Sequence, residues 1–124
     1  MATVFTTVGK AAAADRLDGT TSVFMEYGAW GTGATGALVG DTVIESEAAE
    51  ARISLTSPGV RSQPSANVNQ AYWEMTCAGA GKTIANAGVL TLITGGVLII
   101  HGDFTGVVLA VGDKIAFTAT LTQN

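Results

Sequence analysis

The stretch that decides the fold runs from residue 89 to residue 100 and reads Val-Leu-Thr-Leu-Ile-Thr-Gly-Gly-Val-Leu-Ile-Ile. Two apolar, β-branched runs flank Gly95 and Gly96. A Gly-Gly pair suits the positive φ angles of a tight hairpin turn, so the stretch predicts an antiparallel β-hairpin. Both runs are apolar on both faces. We therefore expect this hairpin to be covered twice, once by the core of the chain and once by a neighbouring subunit.

Outward from the hairpin, apolar and polar residues alternate with a period of two, which is typical of half-buried strands. The alternation is clearest over 114–122 and 70–77, and it is shorter over 51–56 and 22–27. The inward-facing sets of the two clearest runs are Ile115, Phe117, Ala119 and Leu121, and Ala71, Trp73, Met75 and Cys77. Turn signals recur between these runs. The pattern predicts an all-β fold, an antiparallel β-sandwich or jelly-roll-like module of about six to eight short strands.

One segment favours a helix. Residues 9–17 contain four consecutive alanines, and Gly19 follows as a stop. We expect residues 1–20 to form an N-terminal arm or short helix and residues 21–124 to form the sandwich domain. The segment 57–69 is rich in Pro, Gly and Asn and predicts a long polar loop. Residues 46–51 fit a helical turn or the approach to a strand.

The composition limits the kinds of partner that the chain is expected to bind. The chain has 124 residues, of which 48% are hydrophobic and 13% charged, with a net charge of −4. One domain is expected, with part of its surface covered by a protein partner. An acidic balance argues against binding a nucleic-acid backbone. The apolar stretch 89–111 contains Gly95, Gly96, His101 and Asp103, so we predict no membrane span. The N-terminus lacks the pattern of a secretory signal, which favours synthesis and assembly in the cytoplasm.

Two glycine motifs resemble nucleotide-binding loops. Gly31 to Gly36 matches G-x-G-x-x-G, but Asp41 follows where the helix should begin and no βαβ pattern continues. Gly79 to Thr83 ends like a P-loop but lacks its first glycine and the following helix. We interpret the first as a flexible loop and the second as a turn, and we expect no cofactor.

Reactive residues are few. His101 is the only histidine and Cys77 the only cysteine, so neither a metal site nor a catalytic triad is expected. We expect a structural hydrogen bond between His101 and Asp103, and a buried Cys77 that acts as a small hydrophobe. Four carboxylates follow the glycine loop, and we expect them to form a solvated or partner-facing acidic face: Asp41, Glu45, Glu47 and Glu50.

Aromatic residues near the glycine loop are candidate contacts. Tyr27 and Trp30 fit the centre of an interface or the core equally well. Val97 and Ile99 join them as candidate interface residues because they belong to the doubly apolar hairpin.

Several segments, in this order, resemble small structural proteins of tailed bacteriophages. The segments are Tyr27 to Thr42, Glu45 to Arg52, Ile84 to Leu90, Gly95 to Phe104 and Gly112 to Leu121. Together they cover most of the chain beyond residue 20.

The resemblance implies a virion protein. The sequence itself offers no credible catalytic site, so we expect no enzymatic activity. As a head decoration (cement) protein it would bind the major capsid protein lattice at the capsid surface, as a homotrimer or another homo-oligomer. A tail- or fibre-associated module is the alternative, as is a receptor- or carbohydrate-binding β module. The carbohydrate alternative would need an exposed aromatic platform, formed by Tyr72 with Trp73 or by Tyr27 with Trp30. A hydrolase using the acids of 41–50 is a third class, disfavoured because no acid/base set converges.

Overall fold

The computed structural model describes residues 2–17, 19 and 24–122. The elements are β1 (Thr3–Phe5), α1 (Thr7–Leu17), β2 (Tyr27–Gly31), β3 (Ile53–Ser54), β4 (Val60–Ser65), β5 (Val68–Thr76), β6 (Lys82–Leu90), β7 (Leu98–Leu109) and β8 (Lys114–Thr122). The strands form a five-stranded sheet in the order β1-β7-β6-β2-β3 and a three-stranded sheet in the order β4-β5-β8. All pairings are antiparallel. The predicted all-β, sandwich-like fold and its single short helix are confirmed.

Strands β5 and β8 confirm the alternating pattern. They pair from Val68 opposite Thr122 to Thr76 opposite Lys114. The predicted inward residues of β5, including Cys77 just beyond it, are buried. Of the outward residues Tyr72, Glu74 and Thr76 are exposed and Gln70 is half-buried. In β8 the inward residues are buried only towards the end of the strand. One face of this pair meets the core and the other meets solvent, as alternation requires.

The core between the two sheets is built around aromatic rings. The Trp73 and Phe117 rings stack with centroids 5.1 Å apart, and Trp30 meets Phe117 edge-on at 6.3 Å. Both tryptophans are buried, as are Leu55 and Met75 of the same core cluster. Aromatic pairs of this kind add about 0.5–1.5 kcal/mol each beyond the burial of their surface.

The predicted hairpin joins β6 to β7, but its turn is longer than expected. The strands end at Leu90 and resume at Leu98, so residues 91–97 form the connection instead of a tight turn. Gly95 and Gly96 have the positive φ angles expected, 63° and 78°. The Arg52 guanidinium donates hydrogen bonds to the carbonyl of Gly95 (2.8 Å) and to that of a second residue in the same connection. Its side chain thus holds a wide loop in place.

The N-terminal residues are part of the five-stranded sheet. Strand β1 pairs with β7, with Thr3 opposite Gly102. Helix α1 then packs on β7 so closely that a Cβ on Gly9 would lie 2.7 Å from the Ile99 backbone. The helix over 9–17 is thus confirmed and begins two residues earlier, at Thr7. Strand β1 and the start of α1 therefore contact β7 within the chain.

The prediction of a long polar loop over 57–69 is wrong. Residues Val60–Ser65 form β4, an edge strand whose side chains are all exposed. Pro64 lies where the register with β5 shifts, between Ser62 and Ser65. An edge strand tolerates proline at such a bulge because one side of its backbone needs no partner. Polar side chains and prolines therefore hid a strand that buries nothing.

Other predicted elements shift or shorten. The run 51–56 contributes only the two-residue strand β3, and 46–51 forms a turn in which Glu47 makes an isolated bridge to Gly31. Of the strand predicted over 22–27, residues 22 and 23 lie outside the described part of the chain. The strand observed there is β2, which begins at Tyr27.

Candidate functional site

Residues 32–50, which we call the cover segment, lie over the outer face of the five-stranded sheet. Ile44 packs in a small second core with Ala29, Leu90 and Leu98, all of them buried. The approach is close, since a Cβ on Gly88 would lie 2.8 Å from the side chains of both Ile44 and Leu98. The chain itself therefore covers the second face of the apolar hairpin, which differs from the predicted cover by a neighbouring subunit.

A buried polar network fastens the cover segment to β6 and β7. The His101 Nδ1 atom lies 2.7 Å from Asp41 Oδ2, and its Nε2 atom lies 2.9 Å from Asn86 Oδ1. The Asn86 amide nitrogen donates to the carbonyls of Gly33 (3.0 Å) and Glu45 (2.9 Å). Asn86 and His101 are each 1% exposed. Two strand residues thus bind three points of one segment.

The hydrogen-bond partners fix the orientation of the Asn86 amide and of the His101 ring. Because the Asn86 nitrogen faces two carbonyls, its oxygen faces the ring and accepts from Nε2. On the other side Nδ1 lies 2.7 Å from the Asp41 carboxylate, so the ring is held between the side chains of Asp41 and Asn86. Burial by itself would raise the pKa of Asp41. Hydrogen bonds from the Leu38 backbone and His101, with the charge of His101, lower that pKa below its ordinary value overall.

Asp103 has partners of its own, so the predicted pair of His101 with Asp103 is wrong. Its carboxylate accepts hydrogen bonds from the backbone N–H groups of Ala37 (2.6 Å) and Ala2 (3.0 Å). These two bonds lower the pKa of Asp103. His101 and Asp103 each bind a different part of the chain packed against β7, and each partner is remote in sequence.

The predicted acidic face is also wrong, because its carboxylates are engaged within the chain. Asp41 binds His101, and Glu45 accepts from the backbone and hydroxyl of Thr35. Glu47 forms a two-bond ion pair with Arg52, with both distances 2.8 Å. These contacts also hold the Gly31 to Gly36 loop, which was expected to be flexible.

Glu50, the fourth acid, ties the end of the cover segment to the core. It accepts from Trp30 Nε1 (3.0 Å) and the Ala78 backbone (2.9 Å), and it pairs with Lys82. Burial raises the pKa of Glu50, but the bonds from Lys82, Ala78 and Trp30 outweigh it and lower the pKa to about 2.

The candidate interface residues divide into two groups. Trp30 and Ile99 are 0% exposed inside the single chain, so neither side chain has surface to offer. Tyr27 and Val97 are half-buried. Trp73 is 2% exposed, so neither predicted aromatic pair forms an exposed platform for a sugar ring.

The described residues offer little for catalysis or metal binding. Among them no group of three or more His, Cys, Asp or Glu side chains could hold a metal ion. Strand β6 begins at Lys82, so no helix follows the second glycine motif to bind a phosphate. Cys77 is 1% exposed, which confirms it as a buried hydrophobe. In the same part of the chain, no helix has the length and apolarity that crossing a membrane requires.

Two cavities open between the elements. A groove of about 560 Å³ lies between α1 and the three-stranded sheet, with Phe5, Leu17 and Arg61 among its walls. A half-open cleft of about 210 Å³ lies between the sheets beside β8, with Phe104 and Phe117 among its walls. Neither cavity contains a convergent set of acid and base side chains.

Sequence reasoning missed the network of Asp41, Asn86 and His101. One signal was present, because Asn86 and His101 interrupt the two most apolar strands of the chain. Comparison with models of protein families, with curated proteins and with solved structures finds no match to this chain.

Proposed function

We propose that this chain is a structural protein of a tailed-phage virion, a head decoration protein that binds and stabilises the lattice of the major capsid protein. The observation that carries the proposal is that the four carboxylates of the cover segment form hydrogen bonds and ion pairs within the chain. These four carboxylates therefore serve to hold the fold together. The resemblance to phage structural proteins in the order of its segments supports the same conclusion.

Exposed apolar side chains at one end of the five-stranded sheet support a docking role. Val43, which precedes Ile44 in the cover segment, is 68% exposed. Leu92 and Ile93 in the hairpin connection are 49% and 58% exposed. Both segments emerge from the same small core, in which Ile44 packs with the residues flanking the connection. Apolar surface that is costly to leave in water is typical of permanent assemblies.

The mechanism would be mass action without any bond made or broken. A module that binds only the mature lattice stabilises that lattice by its binding free energy, repeated over many copies. The internal fastening of the cover segment suits this role, because a docking surface that is already ordered loses little entropy on binding. The protein would be made in the host cytoplasm and end on the capsid surface.

Electron microscopy of virions carrying a labelled copy of the chain tests the placement. We expect density over the capsid lattice, and we expect capsids that lack the protein to gain thermal stability when it is added. The double variant Leu92→Asp, Ile93→Asp should lose this effect. Val108→Asp, at an exposed position of β7 outside that end, should keep it. Label at the tail, with no change in capsid stability, would overturn the proposal and favour a tail-associated module.

A further inference from the structure

The edges of the two sheets differ in how well they are protected against pairing with another strand. In the five-stranded sheet the edge strands are short, three residues in β1 and two in β3. In the three-stranded sheet β4 carries Pro64, a register shift and Arg61, which are common means of blocking an edge. Strand β8 forms the other edge of that sheet, and it carries none of these.

Strand β8 is long, regular and nearly uncharged. Its nine residues pair with β5 without a register shift and contain no Pro or Gly, and its only charge is Lys114 at one end. No strand in the described part of the chain pairs with its outer side. The free N–H and C=O groups of such an edge are a template for another strand.

A cleft lies directly beneath this free edge. The half-open cavity of about 210 Å³ is lined by Phe117, Thr118 and Ala119 at the middle of β8, and by Phe104 across from them. Cavities of about 150 Å³ already hold a benzene ring. The inward-facing Ile115 and Phe117 stay only half-buried here, whereas Leu121 is buried. The sandwich is therefore incompletely closed at this edge.

We propose that β8 is a self-association edge, at which two copies pair antiparallel about a two-fold axis through Thr118 and form one continuous six-stranded sheet. The inference does not rest on the virion proposal. A two-fold axis at residue 118 pairs odd positions with odd positions, so inward side chains of both copies remain on the inner face. It also uses the whole strand and brings the two clefts together.

A second copy fits this edge because the strand is complementary to itself in that register. Phe117 meets Ala119 of the other copy, so a large side chain faces a small one. Ile115 meets Leu121 in the same way. The two Lys114 residues lie at opposite ends of the paired strands, whereas parallel pairing would place them side by side. Thr118 faces Thr118 at the centre.

A charged residue at position 118 tests the axis, because the proposed pairing places position 118 of one copy opposite position 118 of the other. Thr118 is exposed on the solvent-facing side, so Thr118→Lys and Thr118→Glu should fold normally. In sedimentation experiments over a range of concentrations, we expect the wild type to dimerise. We expect each variant alone to dimerise at least about tenfold more weakly, since like charges meet at the axis. An equimolar mixture of the two variants should recover dimers.

Ser62→Lys on β4, at the opposite edge of the same sheet, is the matched control and should dimerise like the wild type. A wild type that stays monomeric would overturn the proposal. So would an oligomer that the Thr118 variants leave intact, a mixture that stays monomeric, or an edge that pairs only with a strand of another protein.

A cross-link gives a second readout that does not depend on charge. Thr118→Cys would place two Cβ atoms about 4.5–5.5 Å apart across the axis, close to disulfide range. The native Cys77 is buried and does not compete. Mild oxidation should give a covalent dimer from Thr118→Cys and none from Ser62→Cys. No preference for Thr118→Cys over Ser62→Cys would contradict the pairing.

Discussion

The two sheets meet across one core, but their outer faces are treated in opposite ways. The five-stranded sheet has its outer face covered by residues 32–50, so that Leu98 and His101 are almost completely buried. The three-stranded sheet leaves its outer face bare, with Tyr72 43% exposed. The difference follows the sequence pattern. A strand with alternating apolar and polar residues needs cover on one face only, whereas a strand that is apolar on both faces needs cover on both. In the five-stranded sheet the second cover is the cover segment of the same chain.

The covered face carries polar groups as well as apolar ones, and this makes its cover specific. A buried polar group without a hydrogen bond costs about 1–3 kcal/mol, so Asn86 and His101 favour the one placement of the cover segment that satisfies both. Apolar contacts at Ile44 alone would allow the segment to slide. On the bare sheet no such constraint exists, because water satisfies the outward side chains.

Asn86→Ala should give the largest loss of stability among the single changes considered. It leaves the His101 ring and the carbonyls of Gly33 and Glu45 without their partner, and we expect the free energy of unfolding to fall by about 4 kcal/mol. The matched amide is Gln70 on the bare sheet, which donates only to Thr120 at 3.3 Å. Gln70→Ala should cost less than about 1 kcal/mol. Urea unfolding measures both variants, and equal losses of stability for Asn86→Ala and Gln70→Ala would contradict the difference between the two sheets.

Leu98→Ala tests the apolar part of the same cover. Its side chain is completely buried between β7 and Ile44, so its removal should cost about 3 kcal/mol through lost burial and a cavity. Val108→Ala lies in the same strand but is 80% exposed, and it should change stability by less than about 0.5 kcal/mol. Thermal unfolding of the two variants measures the contrast. A cost at Leu98 no greater than that at Val108 would mean that the cover is loose.

Acid should weaken the fastening of the cover segment. Because the pKa of Glu50 is lowered to about 2 from an ordinary value of 4.5, its stabilising effect is complete above pH 4.5 and is lost as the pH falls towards 2. We expect a loss of about 2 kcal/mol over that range. Glu50→Gln should flatten this acid limb, with a residual slope from Asp41 and Asp103, whose pKa values are also lowered.

The control for the acid limb is Glu74→Gln on the bare sheet, where the carboxylate lies 3.5 Å from Lys114 at the surface. It should leave the dependence of stability on pH nearly unchanged. If Glu74→Gln flattens the profile as much as Glu50→Gln does, the fastening by Glu50 is not what acid disrupts.

Arg52→Lys should have the smallest effect. Lysine cannot reproduce the two-bond fork to Glu47 while also reaching the Gly95 carbonyl, so we expect a loss of about 1 kcal/mol. Arg61→Lys, whose side chain is 41% exposed at the bare sheet, should change stability by less than about 0.5 kcal/mol. Chemical denaturation distinguishes the two. An Arg52→Lys protein as stable as the wild type would show that the hairpin connection is held by other contacts.

Local patterns predicted much of the fold. Alternation located β5 and β8 and the side of each that is buried, because a strand with one buried and one solvated face has alternating apolar and polar residues. The helix, the hairpin and the positive φ angles at Gly95 and Gly96 followed equally local rules. Strand β4 escaped prediction because an edge strand with no buried side chain carries no such period.

The polar network could not be predicted from spacing. Asp41 and His101 are 60 positions apart, and Asn86 bonds to Gly33 across 53 positions. The four acids of residues 41–50 were predicted to lie on the surface, because four carboxylates within ten residues are usually solvated. Only the fold brings Glu50 to Trp30 and Lys82, so the internal use of these charges was visible only in three dimensions.

Hydrogen exchange at low and high protein concentration tests the central claim most directly, namely that the chain itself covers the apolar hairpin while the β8 edge remains open. We expect the amides of Leu90 and of residues 98–101 to be strongly protected, and we expect this protection to be the same at both protein concentrations. Protection of outward-facing amides in β8 should rise as dimers form. The contradicting result is a hairpin whose protection rises with concentration while that of β8 stays constant, because a second copy would then cover the hairpin.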